Sequence, residues 1–162
     1  MKKLMMVLVI GAMSMLIVGS AFAQTSTTQT LSLTVGSVYK MTVSGSPAAM
    51  NITTGTAGTD ALTPVSDNST TYSITQNNGN TVKITAGLST ALSAGYTLKL
   101  TLASTKGVSA GAVTLSTTAA SVVTAIANGA DAGQMINYSF AANASAGTLS
   151  TTSETVTLTL TN

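Results

Sequence analysis

Between residues 70 and 102 the chain alternates. Tyr72 and Ile74, then Val82 and Ile84, then Tyr96, Leu98, Leu100 and Leu102 fall at every second position of three successive runs. Residues two apart share a face of an extended chain, so each run predicts a strand with one apolar and one polar side. Asn78-Gly79 lies between the first two runs and can take the positive φ values of a tight or bulged turn, so a hairpin is expected there.

The same alternation recurs on both sides. Leu31, Leu33 and Val35 predict a first strand, Tyr39, Met41 and Val43 a second, and Met50 with Ile52 a short third. Residues 55–68 contain Gly58, Pro64 and Asp67-Asn68 and read as a loop, with room for one short strand at 61–65. Val113 and Leu115 follow, and residues 128–133 read as a turn cluster. Then come Ile136, Tyr138 and Phe140, and finally Val156, Leu158 and Leu160. One stretch departs from the pattern: Ala119, Val122, Val123 and Ile126 have spacings of three and four, so a short helical turn near 118–127 competes with a strand. The expected fold is all-β, an antiparallel immunoglobulin-like β-sandwich of about eight to ten short strands.

Residues 1–23 stand apart from this pattern. Lys2 and Lys3 precede an apolar run from Leu4 to Val18, and Ala21-Phe22-Ala23 supplies small residues at cleavage spacing. That is the layout of a secretory signal peptide with its apolar helix, cut between Ala23 and Gln24. The rival is an uncleaved anchor, because Leu4 to Ala23 could just cross a bilayer core of roughly 30 Å. Gly11, Gly19 and the Ala-x-Ala ending favour cleavage. The expectation is an exported chain, periplasmic, secreted or at the cell surface, with a single domain over 24–162 and no membrane span after processing. A lipid-anchored form is excluded, because there is no Cys to carry the lipid.

Removing 23 of 162 residues leaves 139, enough for one core without a disulfide or metal staple. Lys40, Lys83, Lys99 and Lys106 balance Asp60, Asp67, Asp131 and Glu154, so the processed chain has no net charge and no electrostatic case for nucleic acid. It holds 31 Thr and 18 Ser. Thr is β-branched and suits the solvent side of a strand, so hydroxyls take the place that charge holds on most surfaces. The apolar positions are too many and too regular for a disordered stalk.

His, Cys, Trp and Arg are absent, which removes the commonest general base, the thiolate nucleophile, the soft metal ligands and the bidentate anion clamp. A Ser–Lys dyad or an Asp pair is the chemistry that remains. Lys40, Lys83 and Lys99 sit at polar positions of alternating runs, which reads as a solvated face. Asp60, Asp67 and Asp131 lie in separate segments, unlike a calcium loop, and read as turn-capping groups. Asn51, Asn68, Asn137 and Asn143 begin Asn-x-Ser/Thr sequons, several of which are expected by chance at this Ser/Thr content. Tyr72, Tyr96 and Tyr138 share phase with core positions, and Tyr39 is the least determined of the four. No enzyme activity, cofactor, metal or catalytic residue is expected.

From Thr70 onward the succession TYSIT, VKITAGLSTALSAGYTLKLTLAS, SAGAVTLSTTAASVVTAI, INYSFAANASAG and ETVTLTLTN resembles small exported bacterial proteins with a single immunoglobulin-like domain. More loosely it is similar to pilin and surface-layer β-sandwich modules. The resemblance covers about the last two thirds of the processed chain, rests on strand and turn patterning, and implies a non-enzymatic surface or fibre role.

Sheet edges carry the functional expectation. Free N–H and C=O groups on an edge strand recruit other chains unless Lys, Pro, bulges or covering loops guard them, and eight charges and two prolines serve this whole domain. Two alternating, uncharged segments near free ends, Leu31, Leu33 and Val35 at one and Val156, Leu158 and Leu160 at the other, are candidates for strand addition between subunits. The expected partner is therefore a second copy of the chain. The alternative is a monomeric module that binds a glycan or a cell-surface protein through residues 55–68.

Overall fold

A computed structural model describes residues 26–79 and 81–162. The expected signal helix and its cleavage site, Ala23 and Gln24, lie outside the described residues. The chain divides into two units, Met1–Thr34 and Val35–Asn162. In the first unit, residues 26–34 form neither strand nor helix.

The second unit contains nine strands: β1 Tyr39–Val43, β2 Val65–Gln76, β3 Val82–Leu88, β4 Tyr96–Leu102, β5 Val108–Ser109, β6 Val113–Thr114, β7 Ala120–Ile126, β8 Gly129–Ala142 and β9 Val156–Thr161. They form two antiparallel sheets, ordered β1-β2-β8-β4-β6 and β5-β7-β3-β9. A single 3-10 turn spans Ala144–Ala146. One apolar cluster joins the sheets, with Tyr72, Ile74, Leu98, Leu100, Leu102, Ile136 and Tyr138 from the first and Val82, Ile84, Ala86, Leu88, Val122, Val123 and Ile126 from the second. These are the alternating positions, so the period of two decides the core.

Strand pairing departs from expectation at the Asn78-Gly79 turn. β2 and β3 do not form a hairpin: they belong to different sheets, and the turn carries the chain from one layer to the other. Both arrangements suit the same alternation, because an arch turns the two apolar faces toward each other across the core. Gln76 occupies the inside of this arch at 1 % exposure. Its Nε2 donates to the carbonyls of Ile126 (2.7 Å) and Gly79 (3.2 Å), and its Oε1 accepts from the Asn78 N–H (2.7 Å). Gly79, at φ 88°, supplies the left-handed residue that the turn needs. From β2 onward every connection crosses between the sheets in this way.

The helical option near 118–127 is overturned, since Ala120–Ile126 is strand β7. Its misleading spacing comes from register shifts against β3, where Val82 faces Ile126, Ile84 faces Val123 and Thr85 faces Ser121. Extra residues on β7, with Ala125 at φ 51°, bring Val122, Val123 and Ile126 all inward and break the period of two. The turn expected at 128–133 is likewise strand. β8 begins at Gly129 and absorbs a bulge opposite Tyr72 and Ile74 through Gly133 at φ 64°. The loop expected at 55–68 is shorter, because Val65 already begins β2, and only isolated bridges form at 61–62. Met50 and Ile52 form no strand, although Met50 packs against the core. The first expected strand is also missing: Leu31, Leu33 and Val35 lie in no strand and are 77 %, 82 % and 85 % exposed.

The two kinds of leucine should therefore behave oppositely. Leu100→Ala opens a cavity in the core and should cost about 2–5 kcal/mol in equilibrium denaturation. Leu33→Ala should stay within about 0.5 kcal/mol of the parent when measured at concentrations that keep the chain monomeric.

Candidate functional site

The charged residues are the first place to look for chemistry, and they hold loops. Asp131 on β8 is 2 % exposed. Its carboxylate accepts from Ser104 Oγ (2.8 Å), Thr105 Oγ1 (2.7 Å), the Thr105 N–H (2.9 Å) and the Lys106 N–H (3.2 Å). Burial pushes this carboxyl up, but the hydrogen bonds from Thr105, Ser104 and the Lys106 N–H outweigh burial and hold it below the usual carboxylate range. Asp60 accepts from the N–H (2.8 Å) and Oγ (2.9 Å) of Ser145 and so anchors the 3-10 turn. Asp67 accepts from the N–H and Oγ of Ser69 in the bulged part of β2, and the Ser69 hydroxyl is the main reason its carboxyl is lowered. Three acids thus hold backbone N–H groups: Asp67 does so within its own segment, as expected, whereas Asp60 and Asp131 do so in segments remote in sequence. Among the described residues no three metal-ligating side chains come together.

Three of the tyrosines are also occupied by structure. Tyr72 is 1 % exposed and donates to the Ala103 carbonyl, and burial pushes its phenol up to about 12. Tyr138 is buried and raised for the same reason. Tyr39, on edge strand β1, is half-buried against the core and accepts a hydrogen bond from Asn78 Nδ2. Tyr96 departs from the expected core position: it is half-buried, and its ring stacks on Phe140 at 6.4 Å between centroids.

Tyr96 and Phe140 line a cleft of about 1170 Å³. One side is built from Met41 and Val43 of β1 with Met50 and Ile52 of the following segment, and the other from Val156 and Leu158 of β9. Leu98, Tyr138 and Phe140 line it from the first sheet. β1 and β9 are edge strands of the two sheets, so the cleft is the seam where the layers stop covering each other. Burial records this. Val82, Ile84 and Ala86 on β3 are at most 1 % exposed, whereas Val156, Leu158 and Leu160 on neighbouring β9 are only half-buried. Glu154 is the one charged residue lining the cleft, and its Oε2 is buried without a hydrogen-bond partner. Thr70 also lines the cleft, 3 % exposed, with its Oγ1 unpartnered.

The four edges of the two sheets differ. β5 and β6 have two residues each, and β1 has five and carries Lys40. β9 has six residues, none charged, with an unshifted register against β3. The Ser89 N–H donates to the Thr155 carbonyl at 2.9 Å. The alternation of an antiparallel ladder then turns the N–H and C=O of Val156, Leu158 and Leu160 outward, along the free edge. Of the two segments proposed for strand addition, the C-terminal one is therefore an edge strand beside the cleft, and residues 31–35 of the N-terminal one form no strand. Spacing alone revealed the segments but not the cleft, because Met41, Tyr96 and Val156 meet only through the order of the strands.

Comparison with protein-family models, with curated proteins and with solved structures finds no match to this chain. Among the described residues no helix is long and apolar enough to cross a membrane.

The Asp131 cluster yields a stability test. The folded carboxyl lies below its unfolded value of roughly 4. Its contribution is therefore fully present above that pH and is lost as the pH falls through the folded value. Asp131→Ala leaves the 104–106 turn without its acceptor and should cost about 2–4 kcal/mol at neutral pH. Asp131→Asn should flatten the acid limb of a stability–pH curve measured by denaturation.

Proposed function

We propose that this chain is an exported, non-enzymatic structural protein of immunoglobulin-like type, which self-associates at the cell surface by strand addition in the manner of a pilin or layer subunit. The observation that carries this reading is the edge of β9: six uncharged, unbulged residues with free backbone groups, beside an apolar cleft. Soluble monomers guard such edges, and the other three edges here are short or carry a lysine. Strand addition satisfies the bare backbone groups and covers the half-buried side chains in one step.

The residue inventory supports the same reading. Three of the acids hold backbone N–H groups, and Glu154 is the single carboxylate lining the cleft. A surface built on Ser and Thr needs neither charge nor ligand to remain hydrated, which suits a subunit whose role is mechanical.

The test is the assembly state of the processed chain from micromolar to millimolar concentration, followed by sedimentation and electron microscopy. Concentration-dependent filaments or layers are expected. Dispersed monomers across the whole range would refute self-association.

A further inference from the structure

We propose that the cleft between β1 and β9 is a binding site for a small amphiphilic amine, with the protonated nitrogen against Glu154 and the apolar remainder along the seam. The inference goes beyond the assembly reading, because it uses the side chains that line the seam and not the backbone edge of β9. All the lining residues belong to Val35–Asn162.

Size and surface fit such a ligand. At about 1170 Å³ the cleft exceeds the roughly 300–1,000 Å³ in which most small molecules are held. Met41, Met50, Leu98, Phe140, Val156 and Leu158 give it apolar walls, and the stack of Tyr96 on Phe140 adds an aromatic surface. An alkyl or aryl group entering the seam removes apolar area from water on both sides. The walls alone do not choose a ligand.

The polar atoms do. Glu154 is the one charged residue of the lining, and none of Lys40, Lys83, Lys99 and Lys106 joins it there, so the cleft supplies its carboxylate with no counter-ion. Its Oε2 is buried without a hydrogen-bond partner. Thr70 is a second and independent sign: it lines the same cleft, is 3 % exposed, and its Oγ1 is also buried and unpartnered. Buried oxygens left unpaired are costly, and both of these can accept a hydrogen bond. A primary ammonium has three N–H donors, no acceptor and one positive charge, which is what the lining lacks. Other amphiphiles fit less well. A fatty acid sets a second carboxylate beside Glu154, an alcohol leaves the charge unpaired, and a hydrocarbon or a quaternary ammonium has no N–H to give to Oε2.

The test uses the full exported chain at concentrations that keep it monomeric, with decylamine as the probe. Methionines report position. Outside residues 1–23 they are Met41, Met50 and Met135, of which the first two line the cleft and Met135 does not. Titration of methionine-methyl-labelled protein with decylamine should shift the Met41 and Met50 resonances saturably and leave Met135 in place. Decanoate and decyltrimethylammonium should bind at least about tenfold more weakly than decylamine, and Glu154→Gln should weaken decylamine by a similar factor. The melting curve of Glu154→Gln should match the parent's, since Oε2 has no partner to lose. Shifts at all three methionines that grow without saturation would reveal adsorption to any apolar surface and overturn the site. Equal decylamine affinity of parent and Glu154→Gln, or equal affinity for decylamine and decanoate, would overturn its choice of ligand. Because every readout is taken on the monomer, a chain that never assembles would refute self-association and leave this inference standing.

Discussion

A two-layered β structure can keep its core dry only where each layer covers the other, and it must end each sheet somewhere. The rest of this molecule follows from how those demands are met. β3 and β8 sit between neighbours on both sides and bury their inner faces almost completely. β1 and β9 end their sheets on either side of a seam, and their inner faces stay half-exposed. One uncovered strip thus unites the apolar cleft, the unpartnered Thr70 and Glu154, and the bare backbone of β9.

The same constraint explains where the few polar anchors went. Every connection after β2 crosses from one sheet to the other, so the crossing segments lose the ladder partners a hairpin would give them. Gln76 supplies partners inside the arch between β2 and β3. Asp131 supplies them to the segment after β4, and Asp60 to the turn after β8. Two of the chain's four acids are used in this way.

Crossing connections also make the contacts non-local. β3 pairs with β9 from the far end of the chain, and β8 lies between β2 and β4. Such pairings close long loops before any ladder energy returns, a topology that folds slowly and exposes edges meanwhile.

The alternation of apolar and polar residues was enough to determine the all-β character, nearly all core positions, the bulk of the strands and the two uncharged terminal segments. It could do so because side-chain direction in an extended chain depends only on the residue's own position. Pairing was not legible: Tyr72, Ile74, Val82 and Ile84 have the same spacing in a hairpin as in an arch, and the buried amide of Gln76 marks this one as an arch only once Ile126 is beside it. Bulges hid β7, because Val122, Val123 and Ile126 share a face only after β3 imposes the register. The cleft belongs wholly to tertiary structure. Which edges meet, and therefore which apolar residues lack cover, is a property of strand order, and strand order is set by the packing of the whole chain.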